Sequence, residues 1–323
     1  MKPTLRAAIA LALCAAGAAG CSRAPKGPPA PYAGSERCLS CHAKTKPAIT
    51  KAWQASRHHL TMKLLPDGRE IAGAFKLSKA EMKDALAVIG RIDGPRVLIA
   101  RDLKARRSQG WEEENVCGPP HDALAAAGPL DVDAADACLG CHSTGYSVSR
   151  RAVDEAGVGC EACHGPGRKH AETEGAVDAI IKPTKLDAPR INMVCGQCHS
   201  QGKDKSGKHP FPVSPDGRLP LAFRPGDDLA EFFVDAQPRR NGHGWEYSLL
   251  LRAEPNYAKQ LCTDCHDPHG KPGSVAMLKD PTSETCLKCH GLGNQRLRYE
   301  NHWGLGNAIE KPCWQCHKNT HAH

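Results

Sequence analysis

The chain has 323 residues, a formal net charge of +8, only 5% aromatic residues, and 31 glycines alongside 25 prolines. That mixture is poor material for a large conventional apolar core, so a domain of this size needs something besides side chains to fill its interior. Its chemistry has to be sought in 17 cysteines and 17 histidines.

Residues 1–20 read as a secretory signal peptide: Lys2 and Arg6 precede an apolar run from Ala7 to Gly20, too short to span a bilayer. Ala18-Ala19-Gly20-Cys21 resembles a bacterial lipoprotein box, with Ala18 where leucine is usual. Cys21 is therefore expected to carry lipid, and Ser22 after it, in place of aspartate, implies delivery to the outer membrane. Residues 21–33, with four prolines between Ser22 and Pro31, form a lipidated flexible tether.

At Cys38 begins a C-x-x-C-H sequence that recurs at Cys138, Cys160, Cys195, Cys262, Cys286 and Cys313. One helical turn puts the two sulfurs on one face, where they can form thioethers with the vinyl groups of a porphyrin, and brings the following imidazole beneath the ring. The expected attachment pairs are Cys38/Cys41, Cys138/Cys141, Cys160/Cys163, Cys195/Cys198, Cys262/Cys265, Cys286/Cys289 and Cys313/Cys316. The proximal iron ligands are His42, His142, His164, His199, His266, His290 and His317. Zinc sites and disulfide frameworks also use paired cysteines, but neither requires histidine after every pair; with 17 histidines in 323 residues, seven such coincidences have a probability of about 10⁻⁹.

Seven covalent c-type haems supply the missing apolar bulk. They also remove the apparent basicity: without Lys2 and Arg6, and with two propionates per haem, the net charge falls to about −1 oxidised and about −8 reduced, which argues against nucleic acid as a partner. Compact packing of about 300 residues gives a radius of gyration of about 19 Å and neighbouring irons about 20 Å apart, close enough for a continuous electron path.

Residues 34–125 read as an N-terminal one-haem lobe and 126–323 as a six-haem lobe. In the first, Pro47 starts a helix over 46–59 that carries His58 and His59. Ser78 and Glu81 form a capping-box pattern before Met82, Ala85 and Leu86. The runs 87–92 and 97–100 flank Asp93-Gly94 as a short hairpin. In the second lobe, Asp227 or Asp228 caps a turn through Leu229, Phe232 and Phe233, and 245–252 is helical. The fold class is mainly α with extensive irregular loops around a haem-filled core. Cys117-Gly118-Pro119-Pro120-His121 reads as a loop with an inert thiol, with a decayed haem site as the alternative.

Tyr32–Arg37, Trp53, Ser56, His58 and Met62, then Cys138–Tyr146, Gly157–Gly167, Phe223–Leu229 and Cys262–Gly270, resemble the cytochrome c-554-type multihaem family. The resemblance implies electron transfer among closely stacked haems and distal iron ligands at His58, in preference to His59, and at His170 and His302. His269, three residues after a proximal histidine, is expected to cross to a neighbouring haem, and His321 is a further distal candidate by its C-terminal position. His243, His121 and His209 remain candidates by count alone.

Function then depends on whether every iron is six-coordinate. Ten histidines outside the motifs suffice for bis-histidine ligation, and there is no C-x-x-C-K variant. The expected role is an exported electron carrier on the periplasmic side of a bacterial envelope, passing electrons among redox proteins between membrane-linked donors and terminal reductases or extracellular acceptors. A nitrite, hydroxylamine or sulfur-oxyanion reductase with one open haem is the rival, and a coupling subunit without turnover of its own a third reading.

Overall fold

The computed structural model describes residues 31–65, 85–90, 96–100, 103, 105–107, 132–200, 202–213, 223–234, 246–250, 260–270, 277–290 and 312. The chain enters through Tyr32, buried to 1% exposure, and turns at Gly34 into α1 (Ser35–Thr45) and α2 (Pro47–Gln54). Pro47 opens α2 as the sequence suggests, since its missing N–H costs nothing at a helix start. The helix is shorter than the expected 46–59. Ser56 N–H bonds to Trp53 O (2.9 Å) and His59 N–H to Ser56 Oγ (3.3 Å), which closes the helix and puts His58 and His59 in a following turn.

Four strands form an antiparallel sheet in chain order: β1 (Met62–Leu64), β2 (Ala85–Gly90), β3 (Arg96–Ala100) and β4 (Ala105–Arg107). Met62 pairs with Ile89 and Val88 with Leu98, so β2 and β3 are the expected hairpin, extended by a strand on each side. Ala85 and Leu86, expected to follow a helix cap, instead begin β2. Pairing on both edges and burial of nearly the whole strand outweigh the local helix-start pattern. Ser78, Glu81, Met82, Asp93 and Gly94 lie outside the described residues.

The sheet packs Met62, Leu86, Ile89 and Ile99 against Ala134 and Ala135 of α3 (Ala134–Ala137), Leu139 of α4 (Leu139–His142) and Cys138 between the two helices, with Tyr146 and Phe211 completing the core. Gly140 leaves the room this needs: a Cβ there would lie 2.2 Å from the Phe211 ring. Asp133 caps α3 through Ala135 N–H (2.9 Å).

Beyond this core the described chain is mainly short helices and loops. They are α5 (Cys160–His164), α6 (Arg168–Glu172), α7 (Ala188–Gly196), α8 (Glu246–Leu250), α9 (Cys262–Cys265) and α10 (Glu284–His290). Two two-residue ladders, β5 (Ser143–Thr144) with β6 (Glu155–Ala156) and β7 (Lys203–Asp204) with β8 (Phe233–Val234), are the further strand pairs in the described residues. Asp228 caps the 3-10 turn Leu229–Glu231 as expected, and Leu229, Phe223, Phe233 and Tyr247 form a second small core. Among the described residues no helix is long and apolar enough to cross a membrane.

Candidate haem sites

Five C-x-x-C-H motifs lie wholly within the described residues. The motif at Cys286 is described in part, without side chains at Cys289 and His290; Cys313, Cys316 and His317 lie outside, as do Cys21, the Cys117–His121 segment, His243, His302 and His321. The local reason for the motif geometry is a single turn of helix. His142 N–H bonds to Cys138 O (3.1 Å), His199 N–H to Cys195 O (2.9 Å) and His266 N–H to Cys262 O (3.0 Å), each drawing the histidine back over its first cysteine. The cysteines described with side chains form no disulfides among the described residues.

The long-range geometry lies in the imidazoles. Two rings bound on opposite sides of one metal ion, each through a nitrogen–metal bond of about 2.0 Å with the ring centre about 1.1 Å behind the nitrogen, have centroids about 6.2 Å apart. Three pairs match. His42 faces His170 at 6.3 Å with planes 5° from parallel, His164 faces His269 at 6.2 Å and 18°, and His199 faces His58 at 6.3 Å and 59°. Each joins a motif histidine to one from elsewhere in the chain. His59 goes to Trp53 instead, ring centres 4.2 Å apart.

Hydrogen bonds aim the rings. Nδ1 of His58, His164 and His170 meets the carbonyl oxygens of Pro268 (3.3 Å), Ile181 (2.9 Å) and Ala176 (2.8 Å). A carbonyl only accepts, so Nδ1 carries the hydrogen and Nε2 keeps the lone pair a metal needs. Burial, with His199 nearby, lowers His58 to about 4, and burial lowers His164 as well, so both rings stay neutral. His142 Nδ1 lies 2.7 Å from Thr61 Oγ1. His209, buried to 4% exposure, rests on Phe211 with Nδ1 turned to Asp136.

The motifs also touch one another. The Cys38 sulfur lies beside that of Cys160, Cys141 beside Cys198 and Cys195 beside Cys262. Gln197 Nε2 donates to Ala162 O (3.1 Å), tying the third motif to the fourth. Asn192 joins the fourth to the fifth, donating from Nδ2 to Gln260 O and accepting at Oδ1 from Cys262 N–H, both 2.9 Å. Near the second motif Gly157, at φ +80, runs so close to the His58–His59 turn that a Cβ would lie 2.4 Å from His59 O; Val158 N–H then bonds to His58 O (2.9 Å).

These residues fit the cofactor their spacing implies: helical cysteine pairs, imidazoles set to clasp a metal, and second nitrogens held by carbonyls. Reading by residue type finds the histidines but misses what orients them. Thr61 and the carbonyls of Ala176, Ile181 and Pro268 carry no sequence signal, and Glu161 sits at a position the motif leaves free.

Such an arrangement defines a multihaem c-type cytochrome, and that is what this chain is. In particular, residues 104–165 match the family described as cytochrome c554 and c-prime, and residues 254–294 match the doubled CXXCH motif. The multiheme cytochrome MtrA of Shewanella baltica (strain OS185) is 27% identical over 189 residues, covering 52% of this chain and 56% of the relative. The chain thus aligns with about half the length of that curated relative. Among solved structures, the outer cell wall cytochrome OcwA is similar in fold, with a TM-score of 0.54 at 20% identity over 80% of this chain and 67% of that one.

Proposed function

We propose that this chain is an exported carrier of seven covalent haems that moves electrons through closely spaced, mostly bis-histidine irons. The observation that carries the reading is the set of three imidazole pairs at 6.2–6.3 Å, His42/His170, His164/His269 and His199/His58. Each bound haem supplies a one-electron ferric/ferrous couple, and two imidazoles leave no coordination position for a substrate at those irons. Contacts between motifs support a route from the first site to the third and on to the fourth, which borders the second and fifth.

In this reading Cys21 carries a lipid that holds the protein at the periplasmic side of the envelope, in the outer membrane. Its partners are envelope redox proteins: membrane-linked donors on one side, terminal reductases or extracellular acceptors on the other. Residues 34–125 carry one attachment motif and 126–323 six, with His58 and His170 crossing between them as distal ligands and His302 and His321 as further ones.

Electron paramagnetic resonance of the oxidised holoprotein, alongside its intact mass, tests the proposal. Seven haem additions with wholly low-spin signals are expected. A high-spin component that shifts on adding nitrite, hydroxylamine or sulfite would overturn it in favour of a reductase.

A further inference from the structure

Glu161 occupies the first variable position of the third motif, where haem attachment asks for no particular side chain, yet it is only 3% exposed. Its carboxylate accepts three main-chain N–H groups: Oε1 from Ala33 (2.7 Å) and Gly167 (2.6 Å), and Oε2 from Gly34 (2.6 Å). Ala33 and Gly34 lead into α1, which carries Cys38, Cys41 and His42. Gly167 leads into α6, which carries His170. One carboxylate therefore joins the third motif to both halves of the His42/His170 pair.

Its surroundings reinforce the junction. Glu155 accepts from Ser35 N–H (3.1 Å) and Ser35 Oγ (3.0 Å), and Ser35 Oγ accepts from Cys160 N–H (3.0 Å). Glu161 thus lies beside the Cys38 and Cys160 sulfurs, bonded to the backbone that leads into Cys38. A fixed negative charge in a poorly screened interior favours ferric over ferrous iron, and so lowers the potential of haems beside it.

We propose that Glu161 is a positioning residue whose buried carboxylate locks the haem sites of Cys38 and Cys160 together and, through its charge, lowers the reduction potential of that pair. This rests on the reading of those motifs as haem sites. The test compares full-length holoprotein with Glu161→Gln, which removes the charge at constant size, and Glu161→Asp, which keeps it. Intact mass is measured first, then a redox titration followed by electron paramagnetic resonance. The near-parallel pairs at the first and third sites and the 59° pair at His58/His199 give separable low-spin signals.

In Glu161→Gln the near-parallel signals should titrate at higher potential, by at least a threefold change in the one-electron equilibrium, about 28 mV at 59 mV per tenfold. The signal of the 59° pair should move less, and Glu161→Asp should keep wild-type potentials with a lower unfolding midpoint. Unchanged potentials in Glu161→Gln, or equal shifts in both variants, overturn the role of the charge. Loss of the haems from Glu161→Gln alone assigns the residue to assembly and discards the tuning. Missing haem at these motifs in the wild type instead overturns the underlying haem reading.

Discussion

The imidazole of His42 stands opposite that of His170, ring centres 6.3 Å apart and planes 5° from parallel, although one follows the first motif directly and the other lies beyond the third. Two distant parts of the chain thus bring these rings face to face. His170 is held from behind by Ala176 O at 2.8 Å, so it reaches its partner with little freedom left to lose.

Removing that ligand should therefore leave the haem but change the iron. In His170→Ala, intact mass should be unchanged apart from the substitution, because Cys38 and Cys41 still hold the porphyrin. One low-spin iron should become high-spin in the resonance spectrum. An undiminished low-spin intensity in a fully loaded variant would show that His170 is not the ligand.

Ring orientation gives a second expectation. Nearly parallel axial imidazoles produce rhombic low-spin spectra, whereas strongly crossed planes raise the largest g-value. The His58/His199 pair, crossed at 59°, should contribute a high-g signal that His58→Ala abolishes and His59→Ala preserves. The opposite pattern would assign the ligand to His59.

Trp53 links the start of the chain to the third motif: its indole N–H donates to Val158 O at 3.1 Å, and its ring packs on His59. Trp53→Phe should cost about 1 kcal/mol, the net worth of one hydrogen bond, and Trp53→Ala about 3–5 kcal/mol. Denaturant unfolding of the holoprotein measures both; equal losses would mean that the apolar volume is irrelevant.

Asn192 fastens the fourth motif to the fifth with one side chain that both donates and accepts. Asn192→Leu buries two unpartnered backbone groups, Gln260 O and Cys262 N–H, and should cost about 2–4 kcal/mol. Asn192→Asp keeps the acceptor for Cys262 and should cost less. Thermal unfolding followed at the Soret band ranks them, and the reverse order would refute the bridging role.

Secondary structure was legible where one local cause decides it. Pro47 at a helix start, Asp228 as a cap and the β2–β3 hairpin can all be read from neighbouring residues. The Pro47 helix stops after Gln54, short of residue 59, because Ser56 bonds locally and ends it. Ala85 and Leu86 begin a strand and not a helix because a strand paired on both edges draws on partners that no short window contains.

The same division runs through the haem sites. Thioether cysteines and the histidine that follows them form one helical turn, so their spacing alone declares the chemistry. A ligand from another segment obeys no spacing rule. His58, His170 and His269 meet His199, His42 and His164 only because the chain folds back through Glu161, Asn192 and backbone carbonyls. The attachment motif is a single helical turn and is legible in the sequence; which imidazoles face one another depends on contacts between distant segments, which only the tertiary structure decides.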